Sequence, residues 1–80
     1  MIAKVAVTLK SGVLDPQGKT VKGALESLGF KGIKNVRVGK YIELELNHGS
    51  AASAKRHVEK MCQKLLANPI IEAYRVEVKR

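Results

Sequence analysis

Ala3, Val5, Val7 and Leu9 alternate with Lys4, Ala6, Thr8 and Lys10. That period of two predicts a strand with one face buried. Ser11 and Gly12 break the pattern, with Gly12 turning the chain. Asp15-Pro16 then marks a helix start: the Asp15 carboxylate can cap free backbone N–H groups, and Pro16 suits the first helical position because it has no N–H to leave unpaired. Val21, Ala24, Leu25 and Leu28 follow at helical spacing as one apolar stripe, with Lys19, Lys22 and Glu26 largely off it. Gly29 supplies a left-handed C-terminal turn, and Phe30 is placed to fold back onto Leu25 in a Schellman motif. Gly18 and Gly23 weaken this helix by about 1 kcal/mol each relative to Ala, so the chain either tolerates them or is closely approached there.

The segment after the helix admits two readings. A II′ turn at Gly39-Lys40 makes a hairpin, but puts Val36 and Val38 on one face with Tyr41, Glu43 and Glu45. One uninterrupted strand instead places Val36, Val38, Ile42, Leu44 and Leu46 together. It segregates apolar from polar residues and is preferred, with Gly39 as a bend or bulge. A strand this long outruns its neighbours, and its exposed end calls for a second subunit. Asn47 to Ser50, including His48, reads as a polar turn. A second helix starts between Ser50 and Ser53, with Ala54, Val58, Met61, Cys62, Leu65 and Leu66 as its apolar face. Asn68-Pro69 ends it, because Pro cannot continue a helix. Ile70 to Lys79 is the last strand, with Tyr74, Val76 and Val78 on one face. The expected fold is therefore α+β: one domain over residues 1–80, two-layer β-α-β-α-β, with a small, mainly antiparallel sheet, both helices on one face and a long second strand.

Composition narrows the function. Eighty residues form a core with little stability to spare, which oligomerisation would support. A single cysteine, Cys62, excludes an internal disulfide. The N-terminus lacks the layout of a signal peptide, and no apolar run approaches the roughly 20 residues that span a bilayer, so a cytoplasmic protein is expected. The net charge of +8 raises nucleic acid as a partner, against a solvated basic surface or one matched to an acidic protein. The aromatics are only Phe30, Tyr41 and Tyr74, too few and too scattered for a base-stacking sheet, and the basic residues form no single stripe. No specific nucleic-acid binding is expected.

Catalytic chemistry is sparse. His48 sits in a turn, His57 on a helix, and Asp15 already has a capping task. Cys62 lies within an apolar stripe with nothing nearby in sequence to lower its pKa. No ligand spacing suggests a metal site. Glu43 and Glu45 share a strand face but read as solubility features. The turn between Gly12 and Gly18 matches neither a P-loop nor a dinucleotide fingerprint. The residues alone describe a small protein-binding module with no catalytic, cofactor or metal site.

Four separated motifs add a resemblance. Val7-Thr8-Leu9-Lys10-Ser11-Gly12-Val13-Leu14-Asp15-Pro16-Gln17-Gly18-Lys19 is the first, continued by Ala24-Leu25 and Leu28-Gly29. Val36-Arg37-Val38-Gly39-Lys40 is the second, followed by Glu43-Leu44-Glu45-Leu46. Met61 to Pro69 and Ile70-Ile71-Glu72-Ala73-Tyr74 complete the set, which resembles the PurS family across nearly the whole chain. Residues 47–56 carry nothing characteristic. The resemblance implies a non-catalytic subunit of phosphoribosylformylglycinamidine synthase. That complex converts formylglycinamide ribonucleotide, glutamine and ATP into formylglycinamidine ribonucleotide, glutamate, ADP and phosphate. PurS-like chains bring the glutaminase and synthetase subunits together for ammonia transfer, are dimeric or higher, and leave ATP and Mg to the synthetase. A basic nucleic-acid module and a ferredoxin-like regulatory domain remain the alternatives.

The expected docking residues are Leu14, Gln17, Gly18, Arg37, Gly39 and Lys40. Gly12, Asp15, Pro16, Gly29, Asn68 and Pro69 have structural explanations. Arg37 is preferred over Lys40 as the residue facing a partner, because its guanidinium grips a carboxylate in two places. The competing reading is that the docking set, too, serves only the fold.

Overall fold

The computed structural model describes residues 1–47 and 49–79; the expected turn residue His48 lies outside them. The order is β1 (Ile2–Leu9), α1 (Pro16–Ser27), β2 (Lys40–Glu45), α2 (Ala51–Met61) running into a π-helical turn (Cys62–Leu66), and β3 (Glu72–Lys79). The sheet order is β2-β1-β3, and β1 pairs antiparallel with both neighbours. The alternation in β1 does what its period requires. Ala3, Val5 and Val7 are buried, and Ala54, Val58 and Cys62 of the α2 region are buried with them. Val76 joins from β3, with Ile42, Leu44, Tyr74 and Val78 packed around it. Ile2, Lys4 and Ala6 occupy the other face beside Glu45, Glu43 and Tyr41 of β2 and Lys79, Glu77 and Arg75 of β3.

Local chemistry sets the helix ends. Asp15 accepts a hydrogen bond from Gly18 N at 2.8 Å, with Pro16 in the first turn. At the other end Phe30 N donates to Leu25 O at 3.1 Å and Gly29 N to Glu26 O at 3.0 Å, the bond pair of a Schellman motif. Gly29 takes φ +96°, which an L side chain disfavours. Ser50 caps α2 by accepting from Ser53 N at 3.1 Å.

The structure differs from the sequence-based expectation in four places. First, β2 is the shortest strand rather than the longest: its ladder to β1 begins at Lys40. Two interactions pull the preceding residues away. Val38 N donates to the Asp15 carboxylate at 2.8 Å instead of extending a ladder. Arg37 donates to the Leu9 carbonyl at the end of β1. Second, only α2 lies on the sheet. α1 makes no substantial contact with the strands or with α2, and the core contains no residue from it. Third, Leu65 is 83% exposed. Ala67 N bonds Cys62 O at 3.0 Å, an i→i+5 closure. That wider turn continues the buried row from Cys62 to Ala67 and leaves Leu65 off it. Fourth, β3 begins at Glu72 rather than Ile70. The Asn68 side chain accepts from Ile70 N and its carbonyl from Ile71 N and Glu72 N, which holds those residues in a turn.

Because α1 stands apart, the radius of gyration is 15.8 Å and the extents are 49 × 26 × 15 Å. A compact 80-residue chain has a radius of about 12 Å. No helix among the described residues is long and apolar enough to cross a membrane.

Candidate docking site

The β1–α1 turn and the segment leading into β2 meet through Asp15. Its two oxygens serve different elements: Oδ1 accepts from Gly18 N, capping α1, and Oδ2 accepts from Val38 N across the chain, both at 2.8 Å. The Val38 and Gly18 N–H groups, and then those of Gln17 and the Arg37 charge, hold the Asp15 carboxyl below the usual carboxylate range, against a smaller opposing effect of partial burial.

The approach is tight. Gly18 is buried, and a Cβ there would lie 2.1 Å from the Val36 carbonyl oxygen. At Gly39 a Cβ would lie 2.2 Å from the Val7 carbonyl oxygen and 2.9 Å from Thr8 Cγ2. These two glycines thus have a reason inside the fold: each lets one backbone pass against another. Gly12, at φ +87°, turns the chain between β1 and this junction.

Two adjoining clefts result. The first, about 390 Å³, is lined by Leu14, Gly18 and Arg37 of the expected docking set, together with Lys10, Ser11, Lys19, Lys22 and Asn35. The second, about 290 Å³, is lined by Gln17, Gly39 and Lys40 with Pro16, Val38 and Glu72. Leu9 and Asp15 belong to both. The structure therefore brings the six residues to one junction but divides them between its two sides. Leu14 is 69% exposed, and Gln17 and Lys40 are also exposed. Arg37 reaches back to Leu9 O, so part of its guanidinium serves the fold. Of the remaining structural set, Gly29 ends α1, while Asn68 and Pro69 lie in the turn before β3, which touches the second cleft through Glu72.

Sequence reasoning missed Lys10, Lys19 and Lys22. Each reads as an ordinary solvent-facing lysine, and only the approach of residues 35–37 to α1 collects them. Cys62 is wholly buried; burial, and then the Glu59 charge, push its thiol up, which suppresses the thiolate that nucleophilic attack needs. Among the described residues no three His, Cys, Asp or Glu side chains gather as a metal site.

A family profile described as "PurS: Phosphoribosylformylglycinamidine (FGAM) synthase" matches residues 2–80. The chain is 49% identical over 75 residues to the Bacillus subtilis phosphoribosylformylglycinamidine synthase subunit PurS, covering 94% of this chain and 88% of the relative. The crystal structure of Methanocaldococcus jannaschii PurS, a subunit of formylglycinamide ribonucleotide amidotransferase, superposes with a TM-score of 0.89 at 42% identity, covering 99% of this chain and 95% of that one. A chain of the Thermotoga maritima PurLQS structure superposes with a TM-score of 0.83 at 35% identity, covering 96% of each. With likeness of sequence and fold running from end to end, the chain belongs to the PurS family of phosphoribosylformylglycinamidine synthase subunits.

Proposed function

We propose that this chain is the non-catalytic small subunit of a cytoplasmic phosphoribosylformylglycinamidine synthase. It bridges a glutaminase and a synthetase subunit so that ammonia released by the first reaches formylglycinamide ribonucleotide on the second. The observation that carries this reading is the end-to-end likeness to a chain of the Thermotoga maritima PurLQS structure. ATP and Mg belong to the synthetase subunit in this reading, and the buried Cys62 is no nucleophile for glutamine hydrolysis. The partners dock at the junction of the β1–α1 turn with the segment entering β2, where Leu14, Gln17 and Lys40 are exposed. The outer sheet face does not favour nucleic acid: Lys4, Arg75 and Lys79 are interspersed there with Glu43, Glu45 and Glu77, so it offers a phosphate backbone no net positive charge.

The test is reconstitution. The pure chain is expected to hydrolyse neither glutamine nor ATP above a buffer blank. Added to the matching synthetase and glutaminase subunits, it is expected to restore glutamine-dependent synthesis while leaving ammonia-dependent synthesis by the synthetase unchanged. Equal glutamine-dependent rates with and without the chain would count against the role.

The same reading includes self-association. The apolar stripe of α1 is left largely open by the described residues: Leu28 is 74% exposed and Val21 40%, with Phe30 beyond the helix end 57% exposed. β2 and β3 each leave one edge unpaired in the three-stranded sheet. A second copy, carrying the same stripe and the same edges, is self-complementary to both. Sedimentation equilibrium at micromolar concentration is expected to give a multiple of 8.7 kDa. A stable monomer would defeat this.

A further inference from the structure

We infer that the cleft between the β1–α1 turn and residues 35–37 receives an acidic segment of a partner subunit, an assignment that rests on the subunit role proposed above. Four cations line this cleft, Lys10, Lys19, Lys22 and Arg37, against one carboxylate, Asp15. Asp15 has one oxygen on Gly18 N and the other on Val38 N, and its single charge is outnumbered by the four cations. Among the described residues none of the three lysines is paired with a carboxylate. Three segments thus bring four cationic side chains to one concavity that holds a single carboxylate. A lining with that excess of positive charge favours an incoming anion.

The lining decides which anion. The N-terminal amides of α1 are capped by Asp15, so an anion is held by flexible side chains rather than by the rigid backbone cradle that suits a lone phosphate. No aromatic side chain lines the cleft to stack a nucleotide base. Leu14, 69% exposed, offers an apolar anchor on the same lining. The second cleft continues the first through Leu9 and Asp15. There Lys40 shares the lining with Glu72 and Asp15, and Gln17 is exposed. The groove therefore carries an excess of cations at its lysine end, no such excess at the other, and an apolar side chain at Leu14. An extended polypeptide that carries carboxylates beside an apolar side chain meets all three features, whereas a small anion meets one.

The experiment measures affinity for the matching synthetase and glutaminase subunits. Lys19→Glu/Lys22→Glu is compared with Lys60→Glu/Lys64→Glu, an equal charge change on the far helix, with circular dichroism confirming that both are folded. The cleft variant is expected to bind at least about tenfold more weakly, the control variant within about twofold of the unaltered chain. The unaltered chain's affinity should also fall more steeply with salt than the cleft variant's. Lys19→Arg/Lys22→Arg is expected to retain binding. Equal loss in the cleft and control variants overturns the cleft assignment, as does binding of inorganic phosphate or ATP by the isolated chain at micromolar concentration. Failure of the unaltered chain to join either subunit overturns the subunit role itself, and the cleft assignment with it.

Discussion

Gly18→Ala is expected to lower the melting temperature by on the order of 10 °C, while Gly23→Ala, five residues further along the same helix, raises it by a few degrees. Both changes improve intrinsic helix propensity by the same amount, about 1 kcal/mol. They differ in what the new methyl group meets. At Gly23 nothing lies within 4 Å, whereas at Gly18 a Cβ would stand 2.1 Å from the Val36 carbonyl oxygen, 3.0 Å from the Val36 carbonyl carbon and 2.9 Å from Asp15 Oδ2. Two of those three atoms are backbone, so no side-chain rotation relieves the overlap. Residue 36 must withdraw, and the flanking bonds, Val38 N to Asp15 and Arg37 to Leu9 O, are drawn out of register with it. Overpacking of this kind costs about 1–3 kcal/mol, more than the gain in propensity. Gly23 lies on the side of α1 away from the Val21–Leu28 stripe, so a second copy covering that stripe does not change its prospects. The measurement is a pair of thermal melts at equal protein concentration, since association makes the midpoint concentration-dependent. Shifts of the same sign would refute the close-approach explanation of Gly18.

Asp15→Asn is expected to loosen α1 and to remove part of the protein's acid sensitivity. An amide offers one oxygen and one NH₂ where the carboxylate offers two acceptors. If the oxygen keeps Gly18 N, the NH₂ is turned toward Val38 N, donor against donor. Since α1 takes no part in the core, this bond is one of the few that join it to the rest of the chain, and amide exchange in α1 is expected to accelerate. The pH dependence has a definite sign. Val38 and Gly18 N–H groups hold the folded-state pKa of Asp15 below its ordinary value of 3.8. The stabilisation is therefore fully present above the unfolded-state pKa and is lost as pH falls through the folded-state value. The difference in melting temperature between the unaltered chain and Asp15→Asn should be constant near neutral pH and shrink below about pH 4. Taking the difference isolates Asp15 from the other carboxylates, which are the same in both proteins. A gap that persists unchanged into acid would show that the carboxylate charge has no part in the latch.

Interactions spanning only a few residues were legible in the sequence alone. The alternation of β1, the cap and proline at Asp15-Pro16, the Schellman end at Gly29-Phe30, the start of a second helix between Ser50 and Ser53 and the stop at Asn68-Pro69 each depend on neighbours within about one helical turn or on a strict period. The chain itself carries that information, and the structure shows the Asp15 cap and the Schellman end as hydrogen bonds. Gly18 and Gly23 were alike in the sequence, either tolerated or closely approached, and only the structure separates them, with the Val36 backbone against Gly18 and nothing within 4 Å of a Cβ at Gly23. Competition between distant groups was left to the tertiary structure. The apolar-polar segregation from Val36 to Leu46 favours one long strand, but the Asp15 carboxylate, 23 residues from Val38 in sequence, takes the N–H that such a strand would use. The stripe of α1 predicts a buried face without saying whether this chain or another copy buries it. The row through Leu65 holds for 3.6 residues per turn and fails once the Cys62–Ala67 closure widens the turn. The basic residues look dispersed along the sequence, and Lys10, Lys19, Lys22 and Arg37 become a cluster only when the Val36 backbone settles against Gly18.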